Sequence, residues 1–345
     1  MCNPRTIKMK KDNLLITDNV SGVNQILPHT NKWAWDLFLI GTDNNWTPKD
    51  VNMSIDISQW QGNVLSSDEK LIVKRCLGFF AGSESLVANN LLLNIFKYIT
   101  DPECRQYILR QTYEESLHNW TVVYCCDSLN LDINEVYQAY TSIPAIKAKD
   151  DFLMRITSDI GRNDFSTKTT SGKQELLRNI FTYYVICEGI FFYSGFAMLL
   201  SLMAQEPSKM PGIGTQIIYT LKDESCHIEF GTRLINKIRQ QYPSVWTPDF
   251  ENEMLNNVHS AIDLEIEYAK EVLPRGILGL NSDMFIDYIK YIASRRLRNL
   301  HMQDDFGAFK NPFVWMSRII DIDKQRNFFE TTVTNYSQEI EDDLT

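Results

Sequence analysis

Histidine is scarce in this chain: its 345 residues hold five, at 29, 118, 227, 259 and 301, so the surroundings of each can be checked one by one. Cysteine is present seven times but never as C-x-x-C, and the adjacent pair Cys125 and Cys126 is no bridging framework. That excludes a disulfide scaffold and a thiolate redox motif, and it predicts a reduced, cytoplasmic protein. No Gly/Ser/Pro-rich linker divides the sequence, which predicts one large domain. Basic charge is also in deficit. The formal net charge of −10 excludes a chain built to follow a nucleic-acid backbone. No tract alternates polar and apolar residues for long enough to make a strand. The N-terminal MCNPRTIKMKKDN is basic but lacks the apolar core of a signal peptide. Long apolar runs are limited to one, Ile180 to Ala204, and Glu188 interrupts it. A glutamate there requires a partner, so the run is expected to be a buried central helix and not a membrane span.

What the sequence does contain is an ordered repeat of glutamate and histidine. Glu84 stands alone, and Glu115 with His118 forms E-x-x-H. Glu188 then stands alone, and Glu224 with His227 forms E-x-x-H again. The gaps from lone Glu to E-x-x-H are 31 residues (84 to 115) and 36 residues (188 to 224). Residues three apart share a helix face, so each Glu and His can point inward from one turn. Only His118 and His227 have Glu at minus three. A single E-x-x-H is commonly a helix-surface pair, but two of them, each preceded by a Glu in an apolar helix, form the ligand pattern of ferritin-like dinuclear metal proteins. The expected fold is therefore all-α, a ferritin-like helical bundle with additional helices and a dinuclear metal site in its core.

Helix signals run the length of the chain. Residues 1–30 show little periodicity and are expected to form an arm, followed by a short tract with Trp33, Trp35 and Trp46. Ser66 and Glu69 make a capping box that starts a helix reaching about Thr100. Thr100-Asp101-Pro102 stops it and starts the next, which carries Glu115 and His118 to about Leu129. Short helices are expected over 133–160 and a loop over 161–172. Further helices are expected over about 173–204, 213–241, 249–272 and 282–300. The ending TTVTNYSQEIEDDLT is polar and acidic, with few apolar anchors. The chain thus divides into a helical domain with an N-terminal arm, 1–320, and a flexible tail, 321–345.

Several segments together resemble the radical-generating small subunit of class I ribonucleotide reductase. They are FFAGSESLVANN around Glu84, YEESLH at 113–118, CEGIFFYSGF around Glu188 and LKDESCHIEFG around His227. NNW at 44–46, KAKDDF at 147–152 and LPRGILGL at 273–280 add support away from these. The resemblance covers roughly residues 25–345. It implies that Glu84, Glu115, His118, Glu188, Glu224 and His227 are the metal ligands. It further implies that Trp46, Asp223 and His118 carry an electron hole outward, with Tyr219 a further candidate. Tyr336 in the tail would pass the hole to the large catalytic subunit, which reduces ribonucleotides to deoxyribonucleotides. A homodimer is implied, and dioxygen as the activator.

Two positions depart from the commonest members. Where those store a radical on tyrosine, four residues after the first ligand histidine, this chain has Val122. Position i+4 shares the face of His118, and valine offers no accessible one-electron oxidation. Tyr113, Trp120 and Tyr124 lie on other faces. Glu84 also stands where tyrosyl-radical members usually have Asp. Both departures resemble the class Ic subtype, which implies a manganese–iron cofactor, Mn(IV)/Fe(III) when active, with a di-iron form the other option. Four carboxylates and two imidazoles suit either metal. The same residues leave a rival reading, a ligand-binding manganese–iron oxidase of this fold with an ether crosslink from Val122 to Tyr183. Iron storage is a second rival, disfavoured by chain length. A non-catalytic partner protein that uses only its acidic tail is a third.

Overall fold

The structure is a computed structural model and describes residues 14–16, 23–304, 306–307 and 310–316. The described residues are helical and contain no strand beyond one isolated bridge, Ile277 to Leu280. Four long helices make the bundle: α3 (Ser67–Tyr98), α4 (Pro102–Leu129), α8 (Thr170–Met203) and α9 (Pro211–Gln241). Around them lie α1 (Lys32–Asp43), α2 (Ser54–Gln61), α5 (Ile133–Tyr137), α6 (Ala139–Ser142), α7 (Pro144–Thr157), α10 (Pro248–Val272) and α11 (Ser282–Asn299).

The start signals operate as the sequence indicates. The Glu69 amide donates to Ser66 Oγ at 3.2 Å, and the Ser66 amide donates back to Glu69 Oε2 at 2.9 Å. Asp101 accepts from the amides of Glu103 and Cys104 ahead of Pro102. Helices α1 and α2 are additional to the sequence reading. The α1 segment KWAWDLFLIGTD is short, rich in aromatic residues of weak helix propensity, and contains Gly41. It is held by packing along α4. Just before it, Glu103 takes hydrogen bonds from His29, Thr30 and Asn31, so residues 29–31 are anchored to the bundle.

Helix α8 is the axis of the molecule. It packs against α3, α7, α9, α10 and α11, which explains why it is apolar on every face. Helices α3 and α8 are both long and apolar enough to cross a membrane, but the apolar stretch of α8 is wholly enclosed by protein. Residues 317–345, which include the whole of the expected tail and Tyr336, lie outside the described residues.

Candidate metal centre

Each bundle helix brings its expected residues to the middle of the core. Glu84, Glu115, His118, Glu188, Glu224 and His227 are all at most 1% exposed. Glu188 arrives in a way the sequence does not show. From Thr182 to Phe192, α8 widens into a π-helix. Gly189 is what the wide turn requires: a Cβ there would stand 2.9 Å from the carbonyl oxygen of Tyr184, five residues back. π-segments inside α-helices recur at functional sites because they re-aim side chains.

The two halves of the repeat interlock symmetrically. His118 Nδ1 stands 3.5 Å from Glu84 Oε2, 3.5 Å from Glu115 Oε2 and 3.3 Å from Glu224 Oε1. His227 Nδ1 stands 3.2 Å from Glu115 Oε1 and 3.3 Å from Glu224 Oε2. Glu115 and Glu224 therefore each present one oxygen to each histidine, the posture of bridging carboxylates. Glu84 belongs to the His118 side and Glu188 to the His227 side. The imidazole centroids are 6.0 Å apart.

Behind the histidines lies a second symmetric layer. His118 Nε2 is 3.2 Å from Asp223 Oδ2, and His227 Nε2 is 2.9 Å from Glu114 Oε2. Each of these acids directly precedes a ligand-type glutamate on the facing helix, in Asp223-Glu224 and Glu114-Glu115. Such partners fix the ring orientation and leave Nδ1 free to bind. Glu114 is held in turn by Arg110 Nε at 2.8 Å. Gln111 Nε2 donates to Glu188 Oε1 at 2.9 Å, and Tyr184 donates its hydroxyl to Gln111 Oε1 at 2.7 Å. Sequence reasoning identified Asp223 but missed Glu114, Gln111, Tyr184 and Arg110. For Glu114 a signal existed, since an acid precedes the glutamate of both E-x-x-H motifs.

Electrostatics follow from burial. Desolvation pushes the Glu84 carboxyl well above the usual carboxylate range, against the pull of His118, and pushes up Glu188, with the charge of Glu224 adding to it. Burial also acts to raise Glu115, but the close approach of the His118 and His227 imidazoles outweighs it and holds that carboxyl low. Burial opposes charge on the imidazoles, yet Asp223 beside His118 and Glu224 beside His227 keep both well above the ordinary imidazole range.

The donor set fits a pair of metal ions. Glu84 Oε2, Glu115 Oε2, His118 Nδ1, Glu188 Oε2 and Glu224 Oε1 are all buried without a hydrogen-bond partner. Five converging orphans are costly unless something accepts them. Two donor atoms each about 2.1 Å from one ion stand roughly 3.0–3.5 Å apart, which is the spacing found here.

Other singled-out residues are placed as follows. Trp46 Nε1 donates to Asp223 Oδ2 at 2.8 Å, so indole, carboxylate and imidazole form one chain. Tyr219 is half-buried with its ring 5.4 Å from that of Trp46. Val122 is 3% exposed and lines a cavity of only about 10 Å³ beside Glu84 and His118, and no tyrosine or tryptophan lines it. Tyr113 is exposed, Tyr124 donates to the Val51 carbonyl, and Trp120 lies under Lys49, so all three serve elsewhere. Burial raises the Tyr183 phenol, whose polar neighbours are Thr157, Cys187 and Asp150. The described cysteines are free, including Cys187 and Cys226.

Comparison with known proteins agrees with this geometry. The sequence pattern of "Ribonucleotide reductase, small chain" matches residues 23–312. The chain is 49% identical over 322 residues to the ribonucleoside-diphosphate reductase subunit beta of Chlamydia pneumoniae, covering 93% of this chain and 92% of that one. The ribonucleotide reductase R2 subunit from Clostridium botulinum superposes with a TM-score of 0.80 at 24% identity, over 89% of this chain and 94% of that one. An R2-like ligand-binding oxidase from Sulfolobus acidocaldarius superposes with a TM-score of 0.64 at 23% identity, over 81% and 94%.

Proposed function

The chain belongs to the ribonucleotide reductase small-chain family, the small subunits of an oxidoreductase that works with a large catalytic subunit, and on that premise we propose that its oxidant is a manganese–iron pair of the class Ic kind. Glu84, Glu115, His118 and Glu224 would hold one ion, and Glu115, Glu188, Glu224 and His227 the other. When bound and oxidised by dioxygen, the pair supplies a one-electron oxidant. The observation that carries the reading is Val122 in its small apolar niche. The position against Glu84 and His118 offers no phenol to oxidise, which supports storage of the oxidising equivalent on the metals themselves.

The chain's own residues supply the exit. Trp46 donates its Nε1–H to Asp223, so loss of an electron from the indole can be matched by a proton shift to that carboxylate. Asp223 is equally hydrogen-bonded to His118, and Tyr219 packs on Trp46. Tyr336, in the proposed docking tail 321–345, is the next station toward the large subunit. The Trp46–Asp223–His118 chain favours the reductase over the crosslinked oxidase, which needs no such exit. Domain 1–320 is proposed to pair with a second copy of itself. The free cysteines suit a reducing cytoplasm.

Loading with iron alone, manganese alone and both, followed by metal analysis, electron paramagnetic resonance and assay with the large subunit, tests the metal assignment. About one manganese and one iron per chain are expected in the active form. Full activity with iron alone sinks it. Intact mass tests the oxidase reading, because a Val122–Tyr183 ether lowers the mass by two hydrogens.

A further inference from the structure

A cavity of about 580 Å³ opens between α1, α9 and α11, with Tyr193 of α8 among its lining residues. Leu221 and Ile228 of α9 and Leu37 of α1 give it an apolar wall. Arg295, Arg296 and Arg298 of α11 also line it, and Lys222 and Arg233 of α9 add cationic groups, in a protein whose formal net charge is −10. Its one lining carboxylate, Glu229, is taken up by an ion pair with Arg233.

Arg296 is the unusual member. It is 6% exposed, its Nε donates to the Gly189 carbonyl at 3.0 Å, and its guanidinium lies 4.3 Å over the Tyr193 ring. Its Nη2 is buried and has no hydrogen-bond partner. A guanidinium desolvated to this degree costs free energy unless its donors are met, and an oxyanion meets them better than a neutral acceptor. The cavity thus combines apolar side chains with an excess of cationic ones.

We propose that this cavity binds a small organic oxyanion, a carboxylate or phosphate on a short aliphatic arm, with its head against the arginines of α11, Arg296 among them, and its arm against Leu221 and Ile228. The site is separate from the metal centre, and the proposal holds whatever metals that centre takes. Through Gly189, the residue after Glu188, Arg296 ties the cavity to the π-segment of α8.

Calorimetric titration of the full-length protein with hexanoate, hexyl phosphate, 1-hexanol and inorganic phosphate tests this. Hexanoate or hexyl phosphate, or both, should bind saturably at one per chain, and whichever is tighter identifies the head group. Hexanol, lacking the charge, and inorganic phosphate, lacking the arm, should bind at least about tenfold more weakly. Arg296→Met should remove binding. Should that variant not fold, Thr232→Glu decides, because it puts a competing carboxylate into the cavity from a half-buried position of α9 and leaves the bonds of Arg296 alone. Loss of hexanoate and hexyl phosphate binding in Thr232→Glu, with an unchanged circular dichroism spectrum, supports the site. Equal binding of hexanol and hexanoate, binding of neither anion, or binding that survives Thr232→Glu unweakened overturns it.

Discussion

Val122 and Asp150 show how much a single side chain is constrained in this core. The niche at Val122 has room for about one water molecule at most. Val122→Phe adds far more volume than that, so it should lower stability by about 1–3 kcal/mol while metal content and the paramagnetic spectrum persist. Denaturant titration together with metal analysis checks both halves. Loss of the metals themselves would show that valine does more there than stay inert. Asp150 is 2% exposed, and both its carboxylate oxygens lack hydrogen-bond partners. Burial pushes it up to about 7 from 3.8, with Lys149 pulling the other way. The folded state then holds the proton more tightly than the unfolded chain does. Its contribution to stability is fully present below about pH 4 and is lost as pH rises toward 7, at up to about 1.4 kcal/mol per pH unit. Asp150→Asn, neutral throughout, should gain on the parent across that window and keep a constant advantage above it. Unfolding curves measured at several pH values, with a difference between the two proteins that does not change, would contradict this.

At the scale of the element, the π-segment of α8 determines where Glu188 points. Gly189→Ala would place a methyl 2.9 Å from the Tyr184 carbonyl oxygen and 3.3 Å from Arg296 Nε. The wide turn has to tighten or shift, turning Glu188 away from His227. Metal content should fall while far-ultraviolet circular dichroism stays helical. A fully loaded Gly189→Ala protein with an unchanged melting temperature would refute this role for the wide turn. The π-segment also marks the limit of what the sequence discloses. The helices that begin at Ser66 and at Asp101-Pro102 were legible because capping chemistry is local. The six clustered residues were legible because spacing along a helix dictates shared faces. In TYYVICEGIFF, by contrast, nearly every side chain is apolar and buried, so no polar–apolar contrast is left to report the period. Glu114 and Gln111 escaped for another reason. Their partners, His227 on α9 and Glu188 on α8, lie on other helices, and only the assembly of the bundle brings them to α4.

On the scale of the whole molecule, an enclosed oxidant has to act on a separate subunit. The metal-centre residues are sealed in the bundle, and one tunnelling step does not cross from there to another protein. Oxidisable stations are therefore needed. Trp46, 7% exposed and hydrogen-bonded to Asp223, is proposed as the inner one and Tyr336 as the outer one. The polar, acidic composition of residues 321–345 suits the second task proposed for them, holding the two subunits together. Variants separate the two tasks. Truncation after Glu330 should abolish association with the large subunit and turnover, while the protein still sediments as a homodimer with its metals. Tyr336→Phe should keep association, metal content and the oxidised cofactor, yet lose turnover, because phenylalanine is far harder to oxidise than tyrosine. Trp46→Phe should match Tyr336→Phe in turnover and also break the hydrogen bond to Asp223. Sedimentation, metal analysis and nucleotide reduction measured on the same three proteins decide the matter. Substantial reduction by Tyr336→Phe with its tail bound would show that the hole leaves by another path.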